Sequence, residues 1–304
     1  MDQLITFIIH GRIKLIKKLI QEIEMVFSAF DISIDATHKA GDALMFTKTA
    51  ISKGTDIVVA VGGDGTINEV VNGIMKSKSP KKPILAILPL GRGNDFVRSF
   101  QVGKGLDQLH NAIKQGNSVQ VDVGNLNFTG LNGNSESRYF INIADVGIGG
   151  VVTEIVSSSR RLFNAQLTYT MAILRSLFKF TYQEMKVRAD NFSFEGDVMS
   201  LCMANGKYFG SGLCIAPKAD LFDGMAEIVI LEKISLWEFF RHLSKVRRGE
   251  IIKHPKVYYL QTTTCNISSS EPCPLDVDGE FVGYTPVEMR MLPAAIRLLQ
   301  FKLL

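Results

Sequence analysis

The chain has 304 residues, of which 46% are hydrophobic and 21% are charged, and 34 Lys and Arg against 30 Asp and Glu give a formal net charge of +4. This composition is typical of a folded protein and excludes an extended disordered chain. The small excess of positive charge predicts no nucleic-acid partner. The length favours two domains over a single core.

The apolar segments, cysteines and histidines indicate where the protein is located and which metal or disulfide sites to expect. No uninterrupted apolar stretch has the length of a membrane-spanning helix, and the apolar run at residues 4–9 lacks a basic leader. We therefore expect a soluble, cytoplasmic protein. The four cysteines lack paired spacing and the five histidines are scattered, so buried free thiols are expected and a zinc site is not.

The first third of the chain alternates strand-like and helix-like segments. Apolar runs predict strands at residues 4–9, 32–37, 57–61 and 84–88, and apolar positions at helical spacing predict helices at 13–30, 43–52 and 66–75. Such alternation predicts an α/β domain, residues 1–122, in which a parallel sheet is flanked by helices.

The pattern changes near residue 122 to shorter β-rich runs. Strands are predicted at 119–123, 139–143, 185–188, 198–203, 226–231, 256–262 and 286–291, with one helix at 164–180 and a polar hairpin loop at 125–137. We expect a mostly antiparallel β domain with inserted helices over 123–304. The pattern leaves open that the extreme C-terminus packs back on the first domain.

A glycine-rich turn between a predicted strand and a predicted helix is the most informative feature. Gly62-Gly63-Asp64-Gly65 follows the strand, and Thr66 with Glu69 has the spacing of a capping box that opens the helix. Glycines let the backbone approach a ligand, and a helix N-terminus favours an anion. Asp64 would repel that anion unless a cation lay between them, which favours a nucleotide phosphate with a divalent metal. A purely structural tight turn is the alternative.

The string at residues 62–73, GGDGTINEVVNG, resembles the GGDGT motif of the diacylglycerol kinase, sphingosine kinase, NAD kinase and phosphofructokinase superfamily, in the version typical of bacterial diacylglycerol kinase-like lipid kinases. The resemblance implies ATP and Mg²⁺ as cofactors and a catalytic role for Asp64. It implies nucleotide contacts for a set of neighbouring residues: Gly62, Gly63, Gly65, Thr66, Asn68 and Glu69.

A second motif at residues 89–96, PLGRGNDF, resembles the family segment in which an aspartate joins the first in a water-mediated network around Mg²⁺. By position this catalytic role falls to Asp95, although a helix cap is the alternative. Arg92 stands where the family usually has Thr. Its guanidinium can bind a phosphate in a bidentate manner, so a nucleotide contact is expected by a different route.

Two N-terminal residues complete the implied nucleotide site. The family commonly has Asn after the first strand, where this chain has His10, which can still form a hydrogen bond. Thr37 matches the family's nucleotide-contacting threonine, and a capping hydroxyl is the alternative.

Near the C-terminus, Asp278-Gly279-Glu280 resembles the family's D-G-E segment, whose glutamate is the general base for the acceptor hydroxyl. The alternative is an Asp-Gly hairpin with a surface glutamate. Residues 217–225 resemble the segment that holds a structural Mg²⁺. That resemblance implies a carboxylate ligand from Asp223 and carbonyl ligands from Asp220 and Met225, whereas the residues alone indicate only an acidic turn.

A basic helix is predicted after the Ser235–Glu238 capping box, with Trp237 near its start. Such a helix suits an anionic membrane surface, and packing on the β domain is the alternative. Residues 162–180, with Arg160, Arg161, Arg175 and Lys179, form a second candidate face. We expect peripheral contact with the inner face of the membrane. A homodimer is compatible with the sequence, which does not determine the oligomeric state.

Together the motifs predict an ATP-dependent lipid kinase, a transferase of lipid metabolism that phosphorylates a hydroxyl of diacylglycerol or a related lipid. Two alternatives stay open: an NAD kinase-like small-molecule kinase, and a lipid-binding protein that has lost catalysis.

Overall fold

The computed structural model describes residues 3–91, 93–158 and 182–301. The chain forms two compact units. The N-terminal unit comprises Met1–Val123 together with Pro293–Leu304, and the C-terminal unit comprises Gly124–Leu292. The predicted helix at 164–180 and all four basic residues named with it lie outside the described residues.

The N-terminal unit has alternating strands and helices. Its elements are β1 (Leu4–Ile9), α1 (Ile16–Val26), β2 (Asp31–Ala36), α2 (Asp42–Ser52), β3 (Ile57–Gly62), α3 (Asp64–Met75), β4 (Ile84–Pro89), α4 (Phe96–Ser99), α5 (Leu106–Gln115) and the start of β5 (Ser118–Gly130).

Strands β1 to β4 form a parallel sheet in the order β4-β3-β1-β2, as the alternating pattern predicts. All six residues of β3 are buried, because a central parallel strand is covered on both faces. Leu298, near the C-terminus, pairs in parallel with Leu85 of β4. The carboxyl ends of β3 and β4 therefore lie side by side, which brings the two glycine-rich motifs to one edge of the sheet.

The C-terminal unit is mainly β. Its elements are β6 (Ser135–Phe140), β7 (Ile143–Gly147), α6 (Ile148–Ser158), β8 (Gln183–Ala189), β9 (Ser193–Ala204), β10 (Tyr208–Phe209), β11 (Leu213–Cys214), β12 (Ala226–Glu232), α7 (Leu236–Arg247), β13 (Val257–Thr262), β14 (Thr264–Ser269), β15 (Pro274–Val277) and the first part of β16 (Glu280–Leu299).

These strands pair in antiparallel fashion in the order β13-β12-β9-β7-β15-β16, and β14 pairs with both β16 and β8. Alternate residues of these strands build an apolar core that includes Phe140, Leu201 and Val287, and residues of the opposite face, such as Cys202 and Val229, belong to a second, smaller cluster. The four cysteines are buried and free, as expected. Among the described residues, no helix combines the length and the low polarity needed to cross a bilayer.

Three predicted segments differ clearly from the structure. Helix α1 begins at Ile16 because Leu15, at φ 58°, interrupts the helical backbone. The predicted loop at 125–137 is largely strand: β5 continues to Gly130, β6 starts at Ser135, and alternate side chains such as Leu126 and Phe128 are buried. The predicted strand at 139–143 is broken after Phe140. The backbone amides at this break bind the carboxylate of Asp278.

Candidate functional site

The GGDG segment forms the junction between β3 and α3. Gly62 ends the strand, Gly63 is the helix N-cap, and Asp64 is the first helical residue. No side chain caps this helix, so the predicted Thr66–Glu69 capping box is wrong. A helix N-terminus without a side-chain cap leaves backbone N–H groups for an anion.

The carboxylate of Glu69 caps a different helix. It accepts hydrogen bonds from the amides of Gly41, Ala43 and Leu44 at 2.8, 2.9 and 3.4 Å, which lie at the start of α2. Glu69 points to α2 because helix packing, rather than sequence spacing, decides which N-terminus a side chain reaches. Its carboxylate is engaged by this backbone, so its predicted nucleotide contact stays a prediction. Asn68 is fully buried and its side-chain oxygen accepts from Asn72.

The two glycine-rich loops are in direct contact. The amides of Leu90 and Gly91 donate to the carbonyl oxygen of Gly62 at 2.9 and 3.0 Å. A Cβ placed on Gly91 would lie 2.3 Å from the Cα of Gly63, which real Cβ atoms do not tolerate. Glycine at 91 is therefore required for the two backbones to approach this closely, and a Cβ on Gly63 would make a tight contact of 3.1 Å with the Cα of Gly91.

Asp64 joins the two motifs through its side chain. One carboxylate oxygen accepts from the amide of Phe96 at 3.1 Å, at the start of α4. Asp95 precedes that residue, is 8% exposed, and lies 3.5 Å from the guanidinium of Arg98. No side-chain cap hydrogen bond from Asp95 is formed at α4, so the helix-cap alternative is not supported. Both carboxylates thus belong to one edge of the sheet.

His10 and Thr37 border the same edge. The Cβ of His10 would be 3.2 Å from a Cβ placed on Gly62. The Thr37 hydroxyl accepts from the amide of Gly11 at 3.1 Å and keeps its own proton for a further partner. Arg92 lies outside the described residues, so its predicted phosphate contact stays a prediction.

In the C-terminal unit, Asp278 and Gly279 form a two-residue hairpin turn. Val277 pairs with Glu280, and the turn residues have φ values of 51° and 87°, as a type I′ turn requires. The Asp278 carboxylate accepts from the amides of Ile141, Asn142 and Ile143, each at 3.0 Å. The turn is thus fixed to the break between β6 and β7, and Glu280 follows directly as the first residue of β16.

Two acids behind this turn were not predicted as site residues. Asp145 and Asp276 face each other across β7 and β15, and both are fully buried. Burial raises the pKa of both carboxyls, opposed at Asp145 by hydrogen bonds from Ser200 and Cys202 and at Asp276 by the amide of Gly279. In the sequence, the signal for each of these two residues was an acidic side chain within a short apolar strand. Arg138, which contacts Glu280, carried no such signal because 142 residues separate the pair.

The predicted structural metal segment is an acidic turn. The carboxylate of Asp220 accepts from the amide of Phe222 at 3.1 Å, and that of Asp223 accepts from the amide of Met225 at 2.9 Å. Both aspartates are exposed. Within the described residues, no three His, Cys, Asp or Glu side chains form a cluster that could hold a metal. The predicted Mg²⁺ ligands therefore stay a prediction.

An apolar cavity of about 190 Å³ lies inside the C-terminal unit. Its polar members include His242, whose two ring nitrogens are buried and form no hydrogen bond. Burial lowers the pKa of His242, and the nearby Arg241 and Lys245 lower it further. Most other lining side chains are aliphatic: Val152, Val229, Leu231, Leu243, Val246 and Val257. Such a cavity suits a hydrocarbon chain better than a polar ligand.

Comparison with known proteins identifies the family. A family model described as "Diacylglycerol kinase catalytic domain" matches residues 6–126, and one described as "YegS C-terminal NAD kinase beta sandwich-like domain" matches residues 142–300. A diacylglycerol kinase of Staphylococcus carnosus (strain TM300) is 34% identical over 290 residues, covering 94% of this chain and 90% of the relative. One of Staphylococcus aureus (strain JH9) is 32% identical over 267 residues, covering 87% and 80%.

Solved structures share the fold. A diacylglycerol kinase from Bacillus anthracis strain Sterne superimposes with a TM-score of 0.71 at 19% identity, covering 98% of this chain and 97% of the other. Yeast NADH kinase in complex with NADH gives 0.54 at 11% identity, covering 99% and 84%. The lipid-kinase identification made from the motifs is confirmed. The chain therefore belongs to the bacterial diacylglycerol kinase-like family of lipid kinases.

Proposed function

We propose that this protein transfers the γ-phosphoryl group of ATP to the hydroxyl of diacylglycerol or a closely related lipid. The observation that carries the proposal is the contact between the Gly62–Gly63 and Gly91 loops at the carboxyl ends of β3 and β4. Ligands in parallel α/β sheets bind at this edge. The curated relatives named above carry the name of this activity.

The N-terminal unit would hold the nucleotide. The backbone amides at the start of α3 would bind a phosphate, and the Thr37 hydroxyl and His10 imidazole would supply further hydrogen bonds. Asp64 and Asp95 would hold the hydrated Mg²⁺ that accompanies ATP, since carboxylate oxygens suit this hard cation. When bound, Mg²⁺ neutralises charge on the phosphates.

The C-terminal unit would supply the acceptor site and the base. Glu280 stands at the end of a fixed hairpin, and the aliphatic cavity offers room for part of an acyl chain. In the transfer, Glu280 takes the proton of the acceptor hydroxyl as that oxygen forms a bond to the γ-phosphorus. The bond from phosphorus to the bridging oxygen breaks, and ADP leaves with those electrons.

The experiment is phosphoryl transfer from labelled ATP to extracted lipids and, separately, to NAD. We expect label in a lipid identified by mass spectrometry as the phosphate of diacylglycerol or a near relative. Label in NADP instead would favour the NAD kinase-like alternative. Glu280→Gln keeps the size of the side chain and removes the base, so turnover should fall by at least about 100-fold. Lipid binding without turnover by the unmodified protein would favour an inactive lipid-binding protein.

The acidic turn at 220–225 is proposed as a second Mg²⁺ site. Its ligands would be the exposed carboxylate of Asp223 and the backbone carbonyls of Asp220 and Met225, a set of hard oxygen ligands that fits Mg²⁺ or Ca²⁺. Isothermal titration with MgCl₂ in the absence of ATP should detect one site. Asp223→Asn should remove it, whereas Asp190→Asn, at another exposed aspartate, should leave it intact.

We further propose that α7 contacts an anionic membrane surface. The helix begins with the predicted Ser235–Glu238 capping box, and Trp237 is 76% exposed. One side of α7, including Leu243 and Val246, lines the cavity. Cations on its exposed side or just after it complement anionic lipid: Arg241, Lys245, Arg247 and Arg248.

Trp237 is the single tryptophan of the chain, so its emission reports on this surface alone. Vesicles with phosphatidylglycerol should shift the emission to the blue, and zwitterionic vesicles should not. Arg241→Glu with Lys245→Glu should weaken vesicle binding by at least about tenfold, and Lys114→Glu, on α5, is the matched control. Emission unchanged by anionic vesicles would refute contact through α7.

A further inference from the structure

Arg138 and Glu280 form an ion pair that the proposed role of Glu280 does not by itself require. The guanidinium of Arg138, on β6, lies 2.5 Å from a carboxylate oxygen of Glu280. The guanidinium-bearing side chain is 22% exposed and that of Glu280 is 37% exposed. The ion pair is formed with the ionised carboxylate, which is the form that accepts a proton.

This pair is better shielded than a comparable cross-strand pair in the same unit. Lys186 and Glu195, on β8 and β9, lie 2.9 Å apart with side chains that are 54% and 45% exposed. Exposed pairs gain little from their attraction because solvent screens it. Partial burial and the planar guanidinium give Arg138 a stronger and more directional hold on its partner.

The segment that carries Arg138 also fixes the turn before Glu280. Ile141 lies in the break after β6 and Ile143 begins β7, and the amides of both bind the Asp278 carboxylate. The Asp278 amide in turn donates to the carbonyl of Ile143 at 2.9 Å. The 138–143 segment therefore holds the hairpin backbone at Asp278 and the side chain at Glu280. A carboxylate held at both its backbone and its oxygen has little freedom to rotate.

We infer that Arg138 is a positioning residue that keeps the Glu280 carboxylate aimed at the acceptor hydroxyl. This inference rests on the proposed function, in which Glu280 is the base. During transfer the acceptor proton moves to Glu280, the acceptor oxygen bonds to the γ-phosphorus and ADP departs. The proton on Glu280 then leaves to water, and the ion pair with Arg138 forms again. Arg138 itself gains and loses no proton in this cycle, and the role inferred for it is to hold the geometry of the carboxylate.

The test compares Arg138→Ala, Arg138→Lys and Lys186→Met in steady-state kinetics with ATP and the lipid acceptor. Misplacement of a reacting group by about 1 Å can cost about 100-fold in rate, so Arg138→Ala should lower kcat by about 10- to 100-fold. The KM values should change by less than about threefold, because Arg138 acts on the base rather than on either substrate. Arg138→Lys should recover part of the loss, and Lys186→Met should match the unmodified enzyme.

Chemical rescue separates positioning from folding. Guanidinium at a concentration well below that which unfolds the protein should restore part of the kcat of Arg138→Ala, and it should not help Glu280→Gln. Combining Arg138→Ala with Glu280→Gln should cost little more than Glu280→Gln alone, since the two side chains act as one unit. Should Arg138→Ala fold poorly, Arg138→Lys carries the same comparison.

The outcomes distinguish a failure of the proposed role of Glu280 from a failure of the inferred role of Arg138. An active Glu280→Gln variant would overturn the proposed base. An inactive Glu280→Gln variant alongside an Arg138→Ala variant with normal or increased kcat would overturn only the inference on Arg138. A loss of kcat in Arg138→Ala without rescue, and additive with Glu280→Gln, would overturn it as well.

Discussion

Replacing Asp278 with asparagine should destabilise the C-terminal unit, because one hydrogen-bond acceptor is replaced by a donor. One carboxylate oxygen of Asp278 accepts from the amides of Asn142 and Ile143, and the other accepts from the amide of Ile141. In the variant, the carboxamide oxygen can keep the first two bonds. The NH₂ group then faces the Ile141 amide, so that two donors meet and a buried N–H is left without an acceptor.

The magnitude follows from these three contacts. A buried donor without a partner costs about 1–3 kcal/mol, and loss of the negative charge weakens each remaining bond by about 0.5–1 kcal/mol. The free energy of unfolding should fall by about 2–5 kcal/mol, out of the 5–15 kcal/mol typical of a domain. Asp278→Gly removes both acceptor oxygens, and with them all three hydrogen bonds, and should cost about 3 kcal/mol or more.

The backbone conformation at Asp278 allows the two variants to separate its role in the turn from its role as a hydrogen-bond acceptor. Its φ of 51° suits Gly and Asn at least as well as Asp. If the residue served only the turn, both variants would match the parent or exceed it in stability. Urea unfolding followed by far-UV circular dichroism should instead rank the parent above Asp278→Asn, and Asp278→Asn above Asp278→Gly. A glycine variant as stable as the parent would refute this account of the turn.

The remaining predictions concern the loops, the cap and the buried acids. Gly91→Ala should raise the KM for ATP or lower kcat by about tenfold or more, because its Cβ would push the two loops apart, whereas Gly105→Ala meets no atom within 4 Å and should be silent. Glu69→Gln should cost about 0.5–2 kcal/mol in thermal or urea unfolding, because the carboxamide keeps only one of the two oxygens that cap α2, and the KM for ATP should not change; a raised KM at unchanged stability would favour nucleotide contact instead. Because burial raises the pKa of Asp145 above 3.8 in the folded state, stability is lost as pH rises from about that value. The urea midpoint of Asp145→Asn should therefore rise relative to that of the parent between about pH 3 and about pH 8, a range that starts below the unfolded pKa, and a constant difference over it would contradict the raised pKa.

The sequence by itself determined the features that depend on neighbours along the chain. The alternation of apolar runs predicted the parallel strands of the N-terminal unit, because hydrophobic period and helix length are local properties. The Asp278-Gly279 pair predicted a tight hairpin, since few residues accept positive φ. The order of the short motifs identified the family.

Tertiary structure decided which partner each polar side chain found. Glu69 has the sequence spacing of a capping box on α3, yet it caps α2, because the packing of the two helices brings that N-terminus within reach. Arg138 and Glu280 meet across 142 residues, and Asp145 faces Asp276 through strand register alone. Hydrogen bonds and ion pairs act over a few ångströms in space, so the partner of a side chain depends on how the chain folds. Hydrophobic periodicity and turn preference depend only on residues that are close together in the sequence.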